Sequence, residues 1–328
     1  MRNRFVQIGL SVALLLLLIQ VVLIAPSQIR DAETKAALIP TPSLSQNDAV
    51  DQSLQGMHMI ETHEGKKEWE IWADQAVSLK AKELLRLQAV KSIFFSESGV
   101  TFNTTGNKGT VQVKSKNLRI EGDVVMKSSN GYVFRTPDMD YYSDKRVIET
   151  DSPVEMIGPK DMKGRSLHLK GSGMFASLEK GSMEVLRDVR AELGLDQGRK
   201  AQIKSHRSLF NGKNRTAKFM GDVVLDMDSM RITGPEAQFL YDPKNDTLKT
   251  VVFSGGARVS DMDKWATAQR VSVDFETNRF VFRGNPRVVQ NNDELRGEEI
   301  VFLDGGKRVQ VSRARAKVDE KRLESKPQ

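Results

Sequence analysis

Gly122-Asp123-Val124-Val125-Met126 returns, 99 residues later, as Gly221-Asp222-Val223-Val224-Leu225. In each copy a Gly-Asp pair, a combination suited to sharp backbone reversal, leads into alternating positions. A half-buried β-strand starts this way after a tight turn. Weaker echoes surround the two copies. Val154 and Met156 follow Asp151-Ser152-Pro153, Ala257 and Val259 follow Gly255-Gly256, and Val288 follows Gly284-Asn285-Pro286. One supersecondary unit is repeated, and the fold depends on how its copies stack.

Outward from that phrase, period-2 alternation dominates from about His58 on, as in Val111-Gln112-Val113, Leu118-Arg119-Ile120, Leu167-His168-Leu169 and Phe280-Val281-Phe282. Such runs, bounded by Gly, Asn, Asp and Ser, read as strands. Turn signals recur at Ser129-Asn130-Gly131, Asn211-Gly212-Lys213-Asn214, Asp242 to Asp246, Glu276-Thr277-Asn278 and Asp304-Gly305-Gly306. In the body, only Asp74 to Gln88 is open to a helical reading. An aromatic marks each unit at Tyr142, Phe175, Phe210, Tyr241 and Phe275, with gaps of 33, 35, 31 and 34. Helical repeats share that period but not the alternation, so ankyrin and tetratricopeptide folds are excluded.

A two-strand step cannot bury its apolar face alone, whereas stacked steps folded into facing sheets can. In the first half the inward candidates are Trp69, Ile71, Val124, Met126 and Tyr132, then Phe134, Val154, Met156, Leu167 and Leu169. Val223, Leu225, Met227, Phe280 and Phe282 continue the series. This face is either a dry core or an apolar groove open along a seam.

The chain has 328 residues, a length suited to about two domains, and its 39% apolar content is that of a globular protein. It has no cysteine, which excludes disulfides, thiolate metal sites and cysteine catalysis. The net charge of +7 admits nucleic acid, an anionic membrane surface or an anionic ligand as partner. The densest basic cluster, Arg313 to Lys317 with Lys307-Arg308 and Lys321-Arg322, reads as a solvated tail.

Phe5 to Ala25 is almost wholly apolar and uncharged, and Arg2 and Arg4 precede it. About 20 such residues cross a bilayer, and the flanking charges keep the N-terminus cytoplasmic. The run is too long for a signal-peptide core, and Leu23-Ile24-Ala25-Pro26 is a poor cleavage site. An uncleaved anchor is therefore expected, followed by a Pro- and Ser-containing linker.

No catalytic constellation emerges. His58, His63, His168 and His206 have no metal-binding spacing. Asp222, Asp226 and Asp228 share a strand parity and read as a solvated face rather than a calcium site. Gly106-Asn107-Lys108-Gly109-Thr110 lacks the spacing of a phosphate loop and reads as a turn. No metal, cofactor or enzymatic activity is expected.

At several of these residues the sequence resembles a known family. Gly65 to Ala76 (Gly-Lys-Lys-Glu-Trp-Glu-Ile-Trp-Ala-Asp-Gln-Ala), then Phe94-Phe95, Gly122-Asp123-Val124, Gly131 to Thr136, Tyr141-Tyr142 and Val147 to Val154 resemble, in order, the LptC family. Its members are membrane-anchored periplasmic components of lipopolysaccharide export. From about residue 191, Phe219 to Val223, Ile232 to Ala237 and Leu295-Arg296-Gly297 are similar to LptA/OstA, the soluble bridge of that pathway. The chain departs from both in joining the two units.

The resemblance implies an all-β fold of repeated hairpin steps forming open β-jellyrolls behind one N-terminal transmembrane helix. It implies an anchor at 1–26, a linker at 27–55, an LptC-like jellyroll at 56–190, an LptA-like jellyroll at 191–311 and a basic flexible tail at 312–328. It also implies lipid A acyl chains in the apolar groove. The implied partners are lipopolysaccharide, the inner-membrane lipopolysaccharide ABC transporter complex, and LptA-type or outer-membrane LptD-type jellyrolls stacked by their edge strands, with no nucleic acid. The body would be periplasmic and the anchor in the inner membrane. The alternatives are a non-catalytic envelope scaffold or glycan-binding module with a dry core, using surface aromatics such as Trp265, and a membrane-tethered nucleic-acid or anionic-polymer binder using the basic tail.

Overall fold

Long alternating runs separated by short polar turns leave the chain one simple course, in which each strand pairs with the next. In the computed structural model, residues 52–79, 82–195, 198–212, 214–242, 244, 247–303 and 308–317 are described, and they contain strands but no α-helix. The first nine strands are β1 (Gln52–His63), β2 (Lys66–Leu79), β3 (Leu84–Phe95), β4 (Thr101–Gln112), β5 (Leu118–Ser128), β6 (Val133–Tyr142), β7 (Val147–Ile157), β8 (Leu167–Ser177) and β9 (Ser182–Gly194). Next come β10 (Lys200–Ser205), β11 (Arg207–Asn211), β12 (Thr216–Met227), β13 (Met230–Tyr241), β14 (Leu248–Asp261) and β15 (Lys264–Asp274). The last six are β16 (Arg279–Arg283), β17 (Arg287–Gln290), β18 (Asp293–Arg296), β19 (Glu299–Leu303), β20 (Arg308–Ser312) and β21 (Arg315–Lys317).

All pairings are antiparallel and mostly sequential. β10 and β11 are halves of one strand, both lying between β9 and β12. The pairs β16/β17, β18/β19 and β20/β21 are likewise broken strands. The result is one 21-stranded sheet. It runs without interruption through position 190/191, which falls inside β9.

The repeated Gly-Asp phrase turns out not to precede a strand. Gly122-Asp123 lies in the middle of β5 and Gly221-Asp222 in the middle of β12. Both residues of each pair have positive φ: 81° and 48° in the first copy, 80° and 46° in the second. Glycine adopts this region freely, and aspartate tolerates it better than most residues do. The pairing register slips at the same points, between Glu121 and Val124 and between Met220 and Val223. These are β-bulges, which bend a strand and increase its twist. Similar slips sit mid-strand in β7, β8, β13 and β14. The corners stay tight because a Cβ at Gly122 would meet Asn107 at 2.8 Å and one at Gly221 would meet His206 at 2.6 Å.

The bulges fold the sheet over. Glu97 lies in the turn after β3, at one end of the strands, and Leu178 in the turn after β8, at the other end. In a flat sheet an 11-residue strand would hold those ends roughly 35 Å apart. Here the Glu97 backbone N–H donates to the Leu178 carbonyl at 3.2 Å. Each strand is therefore V-shaped, with its corner at the crease and its two turns on opposite lips of a seam. Trp69, Phe94, Tyr141, Phe219, Phe239 and Phe253 are among the largest fully buried side chains between the two layers. This arrangement is all-β and consistent with a jellyroll.

Several expectations need correction. Asp74 to Gln88 is not helical, because β2 runs to Leu79 and β3 starts at Leu84. Gly106 to Thr110 is not a turn but the interior of β4. There a Cβ at Gly106 would stand 2.3 Å from Ile120, so glycine lets neighbouring chains approach closely. Strand β1 starts at Gln52, inside the stretch read as linker, and β21 pairs with β18 inside the stretch read as tail. The proposed anchor and the turn at Asp304-Gly305-Gly306 lie outside the described residues. Among those residues no helix is long and apolar enough to cross a membrane.

Candidate functional site

The two lips of the seam come together in the first part of the sheet and stand apart in its middle. In the first part they are fastened by Arg146, from the turn after β6. Its guanidinium donates to the Phe95 carbonyl at 3.1 Å and pairs with Glu97, both on the opposite lip. Its Nε lies 3.6 Å from the carboxylate of Glu68, whose side chain is only 6% exposed. Ser143 donates to the same carboxylate at 3.0 Å, and the Arg146 carbonyl accepts from the Leu178 backbone at 3.0 Å. The hydrogen bond from Arg146, with Lys66 nearby, holds the Glu97 carboxyl below the ordinary glutamate range. Beneath this clasp Phe94 and Tyr141 meet with ring centroids 4.8 Å apart, and Trp69 is fully buried. The interior there is filled.

Farther along, the lips enclose a cavity of about 710 Å³, within the usual range for ligand pockets. One lip supplies Phe102, Met126, Tyr132, Phe134, Met156 and Leu167. The other supplies Leu178, Met183, Phe210, Tyr241, Leu248 and Phe275. Tyr132 and Phe134 are stacked with centroids 6.3 Å apart. Burial raises the Tyr241 phenol above the ordinary tyrosine range, and Tyr132, across the seam, adds to the rise. The mouth is polar. Between β7 and β8 the loop carrying Pro159, Met162 and Arg165 borders the cavity, and Met162 is 85% exposed. Asp161 fixes this loop by accepting from the backbones of Lys163 and Arg165, both at 2.9 Å, and from the Arg165 guanidinium at 2.7 Å. Burial raises the Asp161 carboxyl, but those bonds outweigh it and leave it below the ordinary aspartate range.

Of the inward candidates, Met126, Tyr132, Phe134, Met156 and Leu167 line this cavity. Trp69, Ile71, Val124, Val154 and Leu169 are buried in packed interior, as are Val223, Leu225, Met227 and Phe282. Phe280 is partly buried against that core. The second cavity wall was absent from the candidates, although Phe210, Tyr241 and Phe275 stood out as periodic aromatics. Tyr142 and Phe175, of the same period, adjoin the outward side near Glu149 and Glu184 instead.

The polar candidates have local partners. His58 stacks on Trp72 at 4.7 Å, His206 lies 3.5 Å from Asp222, and Asp226 and Asp228 pair with Arg231 and Arg199. Among the described residues no cluster of three or more His, Cys, Asp or Glu could hold a metal.

An all-β roll with an apolar interior opening sideways belongs to the class of folds that can shelter a lipid from water. Comparison with known families narrows the class. Residues 12–194 match the family described as lipopolysaccharide-assembly, LptC-related, and residues 202–304 match LptA/(LptD N-terminal domain) LPS transport protein. The first match spans more than half of the chain, which belongs to the LptC-related family and carries an LptA-like second half. Its involvement is in lipopolysaccharide transport. Among solved structures it is similar to the crystal structure of LptH, the LptA-homologous periplasmic component of the conserved lipopolysaccharide transport device from Pseudomonas aeruginosa. Identity is 17% over 36% of this chain and 94% of that one, with a TM-score of 0.33. No curated protein matches the chain.

Proposed function

We propose that this protein is a membrane-anchored, periplasmic element of the lipopolysaccharide export bridge, and that lipid A acyl chains pass through the seam cavity. The observation that carries the reading is the two-walled apolar cavity, open at its lips, in a sheet continuous from the LptC-related part into the LptA-like part. Burial of each acyl methylene is worth about 0.8 kcal/mol, so on the order of ten methylenes give retention that is firm yet reversible. Phe5 to Ala25 serves as the inner-membrane anchor, with the N-terminus cytoplasmic. An inner-membrane ABC transporter supplies the lipid and the energy.

Both ends of the sheet support a bridging role. Among the described residues β1 pairs only with β2, while β20 and β21 pair only with β19 and β18. Unpaired strand edges are association sites, and jellyrolls of the LptA or LptD type are the partners that fit them. The test is photo-crosslinking in cells that make lipopolysaccharide. Photoreactive residues at Phe134, Leu167 and Phe275 should yield lipopolysaccharide adducts, whereas one at outward-facing Arg119 should not. Adducts from Arg119 with none from the cavity would sink the proposal.

A further inference from the structure

At several places on the outer face, cations and carboxylates pair between strands. Arg119 pairs with Asp140 at 2.6 Å, Lys218 with Glu236 at 2.7 Å and Arg231 with Asp226 at 2.6 Å. At the far end of the sheet, as in the shorter Lys170, Arg190 and Lys204 row, cations instead stand opposite cations. Arg258 on β14 is in register with Thr267 on β15, Thr267 with Arg287 on β17, Arg287 with Arg296 on β18, and Arg296 with Arg315 on β21. Direct register places all five on one face. It is the outer face, because Ala257, Val259, Ala266 and Ala268 alternate with them and are buried. The neighbouring row adds Trp265, Val289, Glu294 and Lys317.

Four arginines thus stand in one file with a lysine beside it. Adjacent strands are about 4.8 Å apart, so the file is roughly 19 Å long. Like charges directly opposite one another destabilise a sheet. Glu294 is the one carboxylate in the file's neighbouring row, and it serves both Arg287 and Arg296. Among the described residues no carboxylate pairs with Arg258, Arg315 or Lys317. Trp265 lies between strands β14 and β17, with the Arg258 guanidinium 4.5 Å and the Arg287 guanidinium 5.1 Å from its ring. These cation–π contacts hold two guanidinium groups in place and leave N–H donors for a ligand. They also occupy the indole, which disfavours a sugar stacking on Trp265. The file runs across the outer face of five adjacent strands, so its geometry suits a linear ligand carrying several anions rather than one enclosed phosphate.

We propose that this file binds the phosphate groups of an anionic glycan chain, namely the saccharide part of lipopolysaccharide, running over the outer face while the acyl chains occupy the interior. Arginine's planar fork suits phosphate. Two of the cations, Arg315 and Lys317, come from the basic stretch that otherwise looks like a solvated tail. The identity of the glycan rests on the export reading, whereas the charge file does not.

The test separates the two. The full chain, held in detergent micelles, is titrated with the delipidated, phosphorylated oligosaccharide released from lipopolysaccharide, then with the same oligosaccharide after dephosphorylation. The probe has no acyl chains, so its binding is independent of capture at Phe134. Wild type should bind the phosphorylated form, more weakly at high salt, and lose it on dephosphorylation. R296Q/R315Q should bind roughly tenfold to thirtyfold more weakly, from up to ~1 kcal/mol per exposed pair. Thermal melts establish that this variant is folded. R231Q/R283Q, which removes cations already paired with Asp226 and Glu299, should bind as wild type does. Equal binding of both oligosaccharides, or undiminished binding by R296Q/R315Q, overturns the proposal. Binding of a single-stranded oligonucleotide with none of the oligosaccharide overturns it in favour of nucleic acid.

Discussion

Trp69, Phe94 and Tyr141 occupy the same place in the folded strand as Tyr132, Met183, Phe210 and Phe275: beside a turn, on the inner side of a lip. In the first part of the sheet these residues meet across the seam and are fully buried. In the middle they face each other over the cavity, and Tyr132 and Phe275 stay partly exposed. The same step repeated therefore makes two different interiors. What separates them is whether the side chains on opposite lips reach one another and whether a clasp draws the lips together.

The largest expected contrast is in stability. Trp69→Ala empties a fully buried site and should cost about 3–5 kcal/mol. Phe275→Ala removes a ring that already borders open space and should cost no more than about 2 kcal/mol. Urea unfolding monitors both, as a shift in midpoint at constant slope. Equal costs would mean that the cavity wall is as tightly packed as the closed end, and the contrast between the two interiors would fail.

This contrast also explains how much could be read from the sequence. Alternation identified the strands, and five cavity residues on one lip, Met126 to Leu167, followed from their parity. The opposite wall left no local signal, because Phe134 and Phe275 face each other over the cavity from places far apart in the chain. A regular aromatic period was visible, but at a mid-strand corner one of two paired strands keeps its inward parity, as Ile120 and Val124 do on β5, while its partner changes it, as Thr136 and Met139 do on β6. Phe210 and Phe275 therefore line the cavity while Phe175 of the same period adjoins an outward depression. The Gly-Asp phrase was misplaced for a related reason. Glycine followed by aspartate permits two successive positive φ values equally well at a hairpin and at a bulge, and only pairing on both sides distinguishes them.

A second way to break the comparison is to open the clasp. Arg146→Met leaves Glu68 without its cation while keeping an apolar stem in place. Its cost should be on the order of 2 kcal/mol, below that of breaking a fully buried pair because Arg146 retains a fifth of its side-chain surface in water. A photoreactive residue at Phe94, silent in the otherwise native protein, should then capture lipopolysaccharide. Unchanged stability with Phe94 still silent would show that packing of Phe94 against Tyr141 closes the seam without help.

The smallest effect should come from pH. The hydrogen bond from Arg146 lowers the Glu97 carboxyl below its ordinary value of 4.5. Sign follows from linkage: a carboxylate with a depressed folded pKa stabilises the fold above its unfolded value, and that contribution disappears as pH falls through the folded one. Because Glu97 is exposed, solvent screens the interaction and the gain is small. The clasp should therefore hold at neutral pH, begin to weaken below about pH 4.5, and release Arg146 from Glu97 in more acid solution. Amide exchange at Leu178, whose N–H donates to the Arg146 carbonyl, reports the change locally. Exchange there should accelerate on acidification beyond the intrinsic pH dependence in the native chain, but not in Glu97→Gln, which has no proton to gain. Parallel behaviour of the two proteins would assign closure of the seam to Glu68 and the aromatic packing instead of to the Glu97 pair.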